Sequence, residues 1–354
     1  MVEQAALTAA LTTAWGKQHH NPERLDQIHR ATLVGRRHLA LPLDEYAGLG
    51  GFGRRNDAWL RVAQELGEAA ARQALEAAGL APSDVGHLYF VSTTGLAAPS
   101  VDARLVNRLG LPRHVRRTPI FGLGCLGGAA GLARAVDALR ANPEEVALLV
   151  AVELCSLTLQ PDDLSMANVI ATGLFGDGAA AVVLAGGARP PPPSAPRPQG
   201  PDAPREPRHA RPRVIASRSI FYPDTERVMG WDVVDTGFKL ILSGQVPEVV
   251  AANLGGDVDQ FLAAHGLARG DIDRWIAHTG GPKVLEAVRS ALGLEDAALA
   301  RSWASLRAVG NLSSASVLFV LADELEAAEA LPGELGLLAA MGPGFATELL
   351  LLRW

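Results

Sequence analysis

Among the side chains able to act as nucleophiles, Cys125 has the most telling surroundings. It lies in FGLGCLGGAAGLARAVDALRAN, where a β-like run, TPIFGL, turns through glycine and opens a helix of small residues. A side chain at such a turn meets unsatisfied N–H groups and the positive end of the helix dipole, both of which favour an anion. A cysteine there is expected to have a lowered pKa and to react as its thiolate. Acyl transfer on that thiol needs a proton acceptor and donors for an oxyanion. His278 offers the first: it ends the strand-like WIAH and precedes Thr279, Gly280, Gly281 and Pro282, at a strand terminus beside a loop, where functional groups collect. Asn311 offers the second, following Gly310 at the start of the apolar helix in VGNLSSASVLFVL. Taken singly, each also fits a duller role: a small core cysteine, a structural histidine and a helix N-cap.

The cysteine segment also satisfies G-x-G-x-x-G from Gly122 to Gly127, the spacing of a dinucleotide-binding turn. The context argues against it. The turn lies past residue 120 instead of opening the fold, and Glu153 is the only convenient acid downstream.

The elements that must position these side chains alternate. Before residue 189, the amphipathic DAWLRVAQELGEAAARQALEAAG is followed by the buried-strand patterns HLYFVST and VALLVAVEL. From Arg189 to Arg213 proline is too dense for helix or sheet, so this run reads as an extended linker or loop. Beyond it, VIASRSIFY reads as a strand, Phe238 to His265 as mostly helix, and RWIAHTG as a short strand. GLFGDGAAAVVLAG closes the first part and AAMGPGFATELLLLRW the second; both are a glycine turn and a β-run. The organisation is α/β, with halves at 1–188 and 214–354 around the 189–213 linker.

Bulk properties exclude several classes. The 354 residues are 48% hydrophobic and carry a formal charge of −6, which gives no overall attraction to nucleic acid or anionic membrane. Two cysteines are too few for a disulfide framework or a thiolate metal cage, so a reducing, cytoplasmic setting is expected and no metal. The N-terminus lacks the pattern of a secretory signal, and no uncharged stretch is long enough to span a bilayer.

Five segments together resemble the type III polyketide synthases, the family of the chalcone and stilbene synthases: GCLGGAAGLARA, GLFGDGAAAVVL, HTGGPKVLEAV, GNLSSASVLFVL and GPGFATELLLL, in that family's order. The resemblance spans roughly residues 20 to 354 apart from the proline-rich run. It implies a thiolase-like fold of two related halves with a five-layered αβαβα core, and a homodimer. It implies no cofactor beyond the CoA thioesters that are substrates. Cys125 would take an acyl starter from CoA, with His278 as its imidazolium partner and Asn311 binding the oxyanion. Decarboxylated malonyl-CoA would then extend the chain, which finally cyclises. Phe175 and Phe238 match the two gatekeepers between the CoA tunnel and the cavity. Thr93, Cys155, Thr158 and Ser313 match pocket-lining positions, and Ala98 replaces a methionine that plant enzymes extend into the partner subunit.

Departures from the family narrow the reading. Of the basic residues on an early helix that hold CoA phosphates, only Arg24 is retained; Gln27 and Ala31 replace others, and Arg30, Arg36 and Lys283 are the compensating candidates. The chain opens directly in a helical pattern, without the short strand usual in the family, which reads as a shortened start. Cys155 and the small Ala98 favour a fatty acyl starter and an alkylpyrone or alkylresorcinol product. The rivals are a malonyl-primed tetrahydroxynaphthalene-type synthase and a β-ketoacyl-ACP synthase-like enzyme fed by a carrier protein. A non-catalytic scaffold of the same fold is disfavoured, because all three candidate catalytic residues are present.

Overall fold

The computed structural model describes residues 1–15, 22–190 and 211–354. The expected proline-rich linker lies largely outside the described residues. Strands are β1 (Val2–Glu3), β2 (Arg36–Arg37), β3 (Val85–Val91), β4 (Arg116–Ile120), β5 (Val146–Leu154), β6 (Asp177–Ala185), β7 (Arg213–Phe221), β8 (Met229–Val234), β9 (Gly237–Leu242), β10 (Arg274–Ala277), β11 (Leu335–Gly342) and β12 (Ala346–Arg353). Helices are α1 (Gln4–Trp15), α2 (Pro22–Ala31), α3 (Phe52–Ala78), α4 (Val101–Leu109), α5 (Gly127–Ala141), α6 (Met166–Leu174), α7 (Val246–Ala263), α8 (Pro282–Leu292), α9 (Ala300–Val309) and α10 (Ser316–Ala327).

Two mixed sheets form, in the orders β4-β3-β5-β6 and β10-β11-β12-β7. In the first, β3 runs parallel to β4 and β5, and β6 returns antiparallel to β5. In the second, β10 and β11 are parallel, and β12 returns antiparallel between β11 and β7. The glycine-turn β-runs noted in the sequence are these returning strands, so the two halves share one motif. Strand β5, VALLVAVEL, is buried at every residue. That is why it reads as an unbroken apolar run, as a strand covered on both faces must.

The small residues of α5 let this helix lie against both sheets. Ala129, Ala130 and Ala133 are buried in one cluster with Leu149 of the first sheet, Leu338 and Leu350 of the second, and Leu318 of α10. Alternate side chains of β12 face opposite ways: Leu350 joins this inner cluster, while Leu349 and Leu351 join an outer one formed with α7, α8 and α9. On the outer face of the first sheet, Leu88, Val150 and Val152 pack against Trp59 and Leu75 of α3 and Leu105 of α4.

Two local expectations fail. The stretch from Phe238 is not helical at its start: β9 pairs antiparallel with β8 as a separate hairpin, and helix begins only at Val246. Its side chains are half-buried and gain their partners across a turn, which a helix-period reading of one segment does not register. The N-terminus does carry a short strand, because Val2 and Glu3 pair with Arg37 and Arg36, pinned further by the Gln4 N–H donating to the Gly35 carbonyl.

Candidate active site

The candidate residues emerge at the carboxyl ends of parallel strands, where open α/β sheets gather their ligands. Thr93 follows β3, Cys125 follows β4 and Cys155 follows β5, while His278 follows β10. The His278 N–H donates to the Ala339 carbonyl at 2.9 Å, extending the β10–β11 ladder by one residue. Strand β11 then ends at Gly342, where a Cβ would stand 3.2 Å from the Cys125 nitrogen and 2.7 Å from that of Leu126. The end of the second sheet is therefore pressed against the cysteine turn. Gly124, at φ +50°, makes that turn and would clash with Pro343 if it carried a Cβ.

Asn311 and Ser313 close the site from the loop before α10. The Cys125 thiol donates to the Ser313 hydroxyl at 3.7 Å, and the Asn311 side chain favours the thiolate. Asn311 Oδ1 accepts from the Ser313 N–H at 2.7 Å and the Ser316 hydroxyl at 3.2 Å, which leaves its NH₂ as the group it can offer a substrate oxygen. Cys125, His278 and Asn311 are all buried, and His278 Nδ1 has no hydrogen-bond partner among the described residues.

Electrostatics correct one expectation. Burial pushes the Cys125 thiol up to about 12, outweighing the lowering influence of Ser313 and Asn311, and Glu153 adds to the rise. Burial alone lowers His278 to about 4. Both shifts work against the charged forms, thiolate and imidazolium, through the loss of water around the enclosed groups.

Thr158 borders both the cavity lined by Phe175 and the recess lined by Phe238. Phe175 lines a cavity of about 320 Å³ with Cys155, Thr158, Leu7, Leu11 and Trp15. Phe238 is buried edge-on against Phe52, ring centroids 5.3 Å apart, and borders a small recess that also contains Thr158 and Thr94. Arg24 and Arg30 lie exposed on α2, where Arg30 pairs with Asp26 at 2.7 Å; Lys283 is exposed on the first turn of α8. These elements border the Phe175 turn, since α2 packs on α6 and Gly281 rests on Leu174. Ala98 is not brought to the pocket: it is exposed at the surface, before the cis Pro99.

Three buried charges escaped the sequence reading of the site. Glu153, the one charge in β5, accepts from the Thr93 N–H at 3.1 Å, the Thr94 hydroxyl at 3.0 Å and the Ser314 hydroxyl. Asp177 accepts from the Ala40 N–H at 2.5 Å, the Ser156 N–H at 2.8 Å and the Ser156 hydroxyl. Arg37 donates to the Phe175 carbonyl at 2.7 Å. An isolated acid in an apolar strand was the available signal for Glu153; the others have none, because their partners lie far away in sequence. Among the described residues no group of His, Cys, Asp and Glu could hold a metal, and no helix is long and apolar enough to cross a membrane.

The buried groups fix how stability responds to pH. Burial raises Glu153 to about 7 and Asp177 to about 6 and lowers His29 and His278 to about 4. In the unfolded chain the carboxyls titrate near their ordinary values of about 4, so the native state binds more protons than the unfolded and gains stability as pH falls from 8 toward 6. The histidines act oppositely. Unfolded histidine takes up a proton below about pH 6.5, native His29 and His278 do not, and stability is lost as pH falls further. Below about pH 6.5 the two effects nearly cancel, so the thermal midpoint is expected to stay roughly level down to about pH 5 and to fall above about pH 8, where the unfolded Cys125 thiol ionises and the native one does not; scans from acid to alkaline buffer test this, and a midpoint still climbing above pH 8 contradicts it.

The fold is mixed α/β with two sheets, and it holds Cys125 and His278 buried at strand ends and Asn311 buried in the loop before α10. Residues 15–190 match the family model for the N-terminal domain of chalcone and stilbene synthases, and residues 213–354 the model for their C-terminal domain. The chain is 52% identical over 330 residues to 1,3,6,8-tetrahydroxynaphthalene synthase of Streptomyces peucetius subsp. caesius, covering 93% of this chain and 83% of that one. It is 38% identical to a putative chalcone synthase of Bacillus subtilis, covering 94% and 89% of the two chains. The crystal structure of the Streptomyces coelicolor tetrahydroxynaphthalene synthase, a bacterial type III polyketide synthase, superposes with a TM-score of 0.87 at 32% identity, covering 98% of this chain and 94% of that one. The chain belongs to the type III polyketide synthases of the chalcone and stilbene synthase family, and it is an acyltransferase.

Proposed function

We propose that this enzyme is primed as well as extended by malonyl-CoA and makes a 1,3,6,8-tetrahydroxynaphthalene-type product. The observation that carries the reading is the 52% identity, across 93% of the chain, to a synthase of that name. It outweighs the fatty acyl starter inferred from Cys155 and Ala98, two positions that bear on cavity width and not on the whole site.

In this reading the starter thioester enters past Phe175, and the neutral His278 imidazole takes the Cys125 proton as sulfur attacks the carbonyl. A buried thiol of raised pKa needs that base at the moment of attack. The Asn311 NH₂ receives the oxyanion, the C–S bond to CoA breaks, and His278 returns the proton to the departing thiolate. The next malonyl-CoA loses CO₂, the electron pair of the broken C–C bond passing into the thioester enolate, whose oxygen faces His278 and Asn311. The enolate carbon then attacks the Cys125 thioester and frees the cysteine. The apolar faces of Phe175 and Phe238 disfavour the carboxylate relative to neutral CO₂.

The same reading takes Arg24, Arg30 and Lys283 as the CoA phosphate contacts, the 1–188 and 214–354 halves as an αβαβα sandwich around α5 and α10, and the two buried free cysteines as suited to a reducing cytoplasm. It also takes the enzyme as a homodimer, joined where β4 lies at a sheet edge with Arg116 to Thr118 exposed and Phe121 51% exposed. One observation favours a second reading. The 320 Å³ cavity beside Cys155 is walled largely by apolar side chains and would accept the alkyl part of a fatty acyl starter.

Incubation with malonyl-CoA alone, then with added acyl-CoAs of graded length, separates the readings by product mass. Tetrahydroxynaphthalene from malonyl-CoA alone is expected. Product only when a long acyl-CoA is supplied overturns the malonyl-primed reading in favour of the second. Turnover only of carrier-bound malonate overturns both.

A further inference from the structure

Helix α6 ends at Leu174, and its last carbonyls need partners from outside the helix. The partners come from two directions. From the second half, the Asn311 N–H donates to the Leu174 carbonyl and the Gly176 N–H donates to the Asn311 carbonyl, each at 2.9 Å, so that Phe175 and Asn311 form an isolated parallel bridge. From the N-terminal elements, Gln4 Nε2 donates to the Gly173 carbonyl at 2.9 Å and Arg37 Nη1 to the Phe175 carbonyl at 2.7 Å. Arg37 Nη2 also donates to Gln4 Oε1 at 2.6 Å, which joins the two side chains into one brace.

Arg37 does more than touch that carbonyl. Its stem lies beneath the bridge: a Cβ on Gly176 would stand 3.4 Å from Arg37 Cγ, and one on Gly310 3.3 Å from Arg37 Cδ. Both glycines flank the bridged pair. The guanidinium is only 2% exposed, a costly place for a charge. Such a cation is weak evidence for stability, since an apolar side chain of similar volume commonly serves as well. Its position at a helix C-terminus and its planar fork, which reaches Gln4 and Phe175 together, are what an apolar residue cannot supply.

We propose that Arg37 is a positioning residue that fixes the Phe175 ring relative to the Asn311 amide, and so governs decarboxylation of malonyl-CoA but not loading of Cys125. The proposal rests on the roles given above to Phe175 and Asn311. Decarboxylation needs the Phe175 face and the Asn311 amide together around one malonyl unit, whereas loading uses the Asn311 amide for its oxyanion without the Phe175 face.

The test uses the full-length enzyme with Arg37→Met, which keeps the stem, and Arg37→Lys, which keeps the charge without the fork. Loading is read as acylation of Cys125 by hexanoyl-CoA in the intact mass. Decarboxylation is read as acetyl-CoA formed from malonyl-CoA when the enolate takes a proton from water instead of an acyl group. Arg37→Met is expected to lose roughly tenfold to a hundredfold in decarboxylation kcat, the scale of about 1 Å of misplacement. Its KM should change little, its acylation rate should hold, and Arg37→Lys should recover part of the loss. Unchanged decarboxylation overturns the proposal, as does a parallel fall in both steps. Should Arg37→Met not fold, Gln4→Ala removes the brace from the half-buried N-terminal helix and must show the same selective loss, smaller in size. Asn311→Ala serves as a control for the underlying reading: if it decarboxylates normally, that reading fails whatever Arg37 does.

Discussion

Cys125→Ala is expected to abolish polyketide formation, with turnover falling by on the order of 10⁴-fold or more, as loss of a covalent nucleophile does elsewhere. No neighbouring group can replace it. Cys155 is also buried, and its thiol is pushed well above the ordinary value by burial and by Glu153, Asp177 and Cys125. Cys125 alone has Ser313 and Asn311 at its sulfur. Intact mass after brief exposure to malonyl-CoA should show an acyl adduct on the native protein and none on the variant. Cys155→Ala should retain both adduct and product. Residual product from a correctly folded Cys125→Ala enzyme would remove the cysteine from the mechanism.

The second large effect is on the fold. A Cβ at Gly128 would fall inside the contact distance of the Ser314 carbonyl oxygen and 3.2 Å from Leu318 Cγ. Neither can move freely. Ser314 is anchored through its hydroxyl to buried Glu153, and Leu318 belongs to the inner core between the sheets. Gly128→Ala should therefore force α5 from the loop that carries Asn311, at a cost of about 3 kcal/mol, the upper range for overpacking. Chemical denaturation measures it; a change within about 0.5 kcal/mol, typical of harmless surface substitutions, would show that the two elements can separate without strain.

Much of the site was readable because its cues are local. The glycine turn before an alanine-rich helix marks Cys125, and a four-residue strand followed by Thr-Gly-Gly-Pro marks His278. The thiol's acidity was not. A helix N-terminus favours the anion, but that effect fades within a turn, while burial depends on elements more than 150 residues away, among them Ser313 at the sulfur and Gly342 against the cysteine's backbone. The hairpin β8–β9 was lost in the same way, its pairing being absent from either strand alone.

The amino-acid sequence by itself determined the family and with it the reaction class, through five segments in the order of the type III polyketide synthases, whereas Cys125, His278 and Asn311 taken singly also fit duller roles. The tertiary structure decided which charges surround them and in what state. Arg37, Glu153 and Asp177 look like ordinary polar residues in the chain, and only packing turns them into buried groups that hold the Phe175 carbonyl, the Thr93 turn and the Ser156 turn. The physical reason is that hydrophobic patterning acts over a few residues. Desolvation and hydrogen bonding inside a closed pocket are set by whichever distant segments meet there.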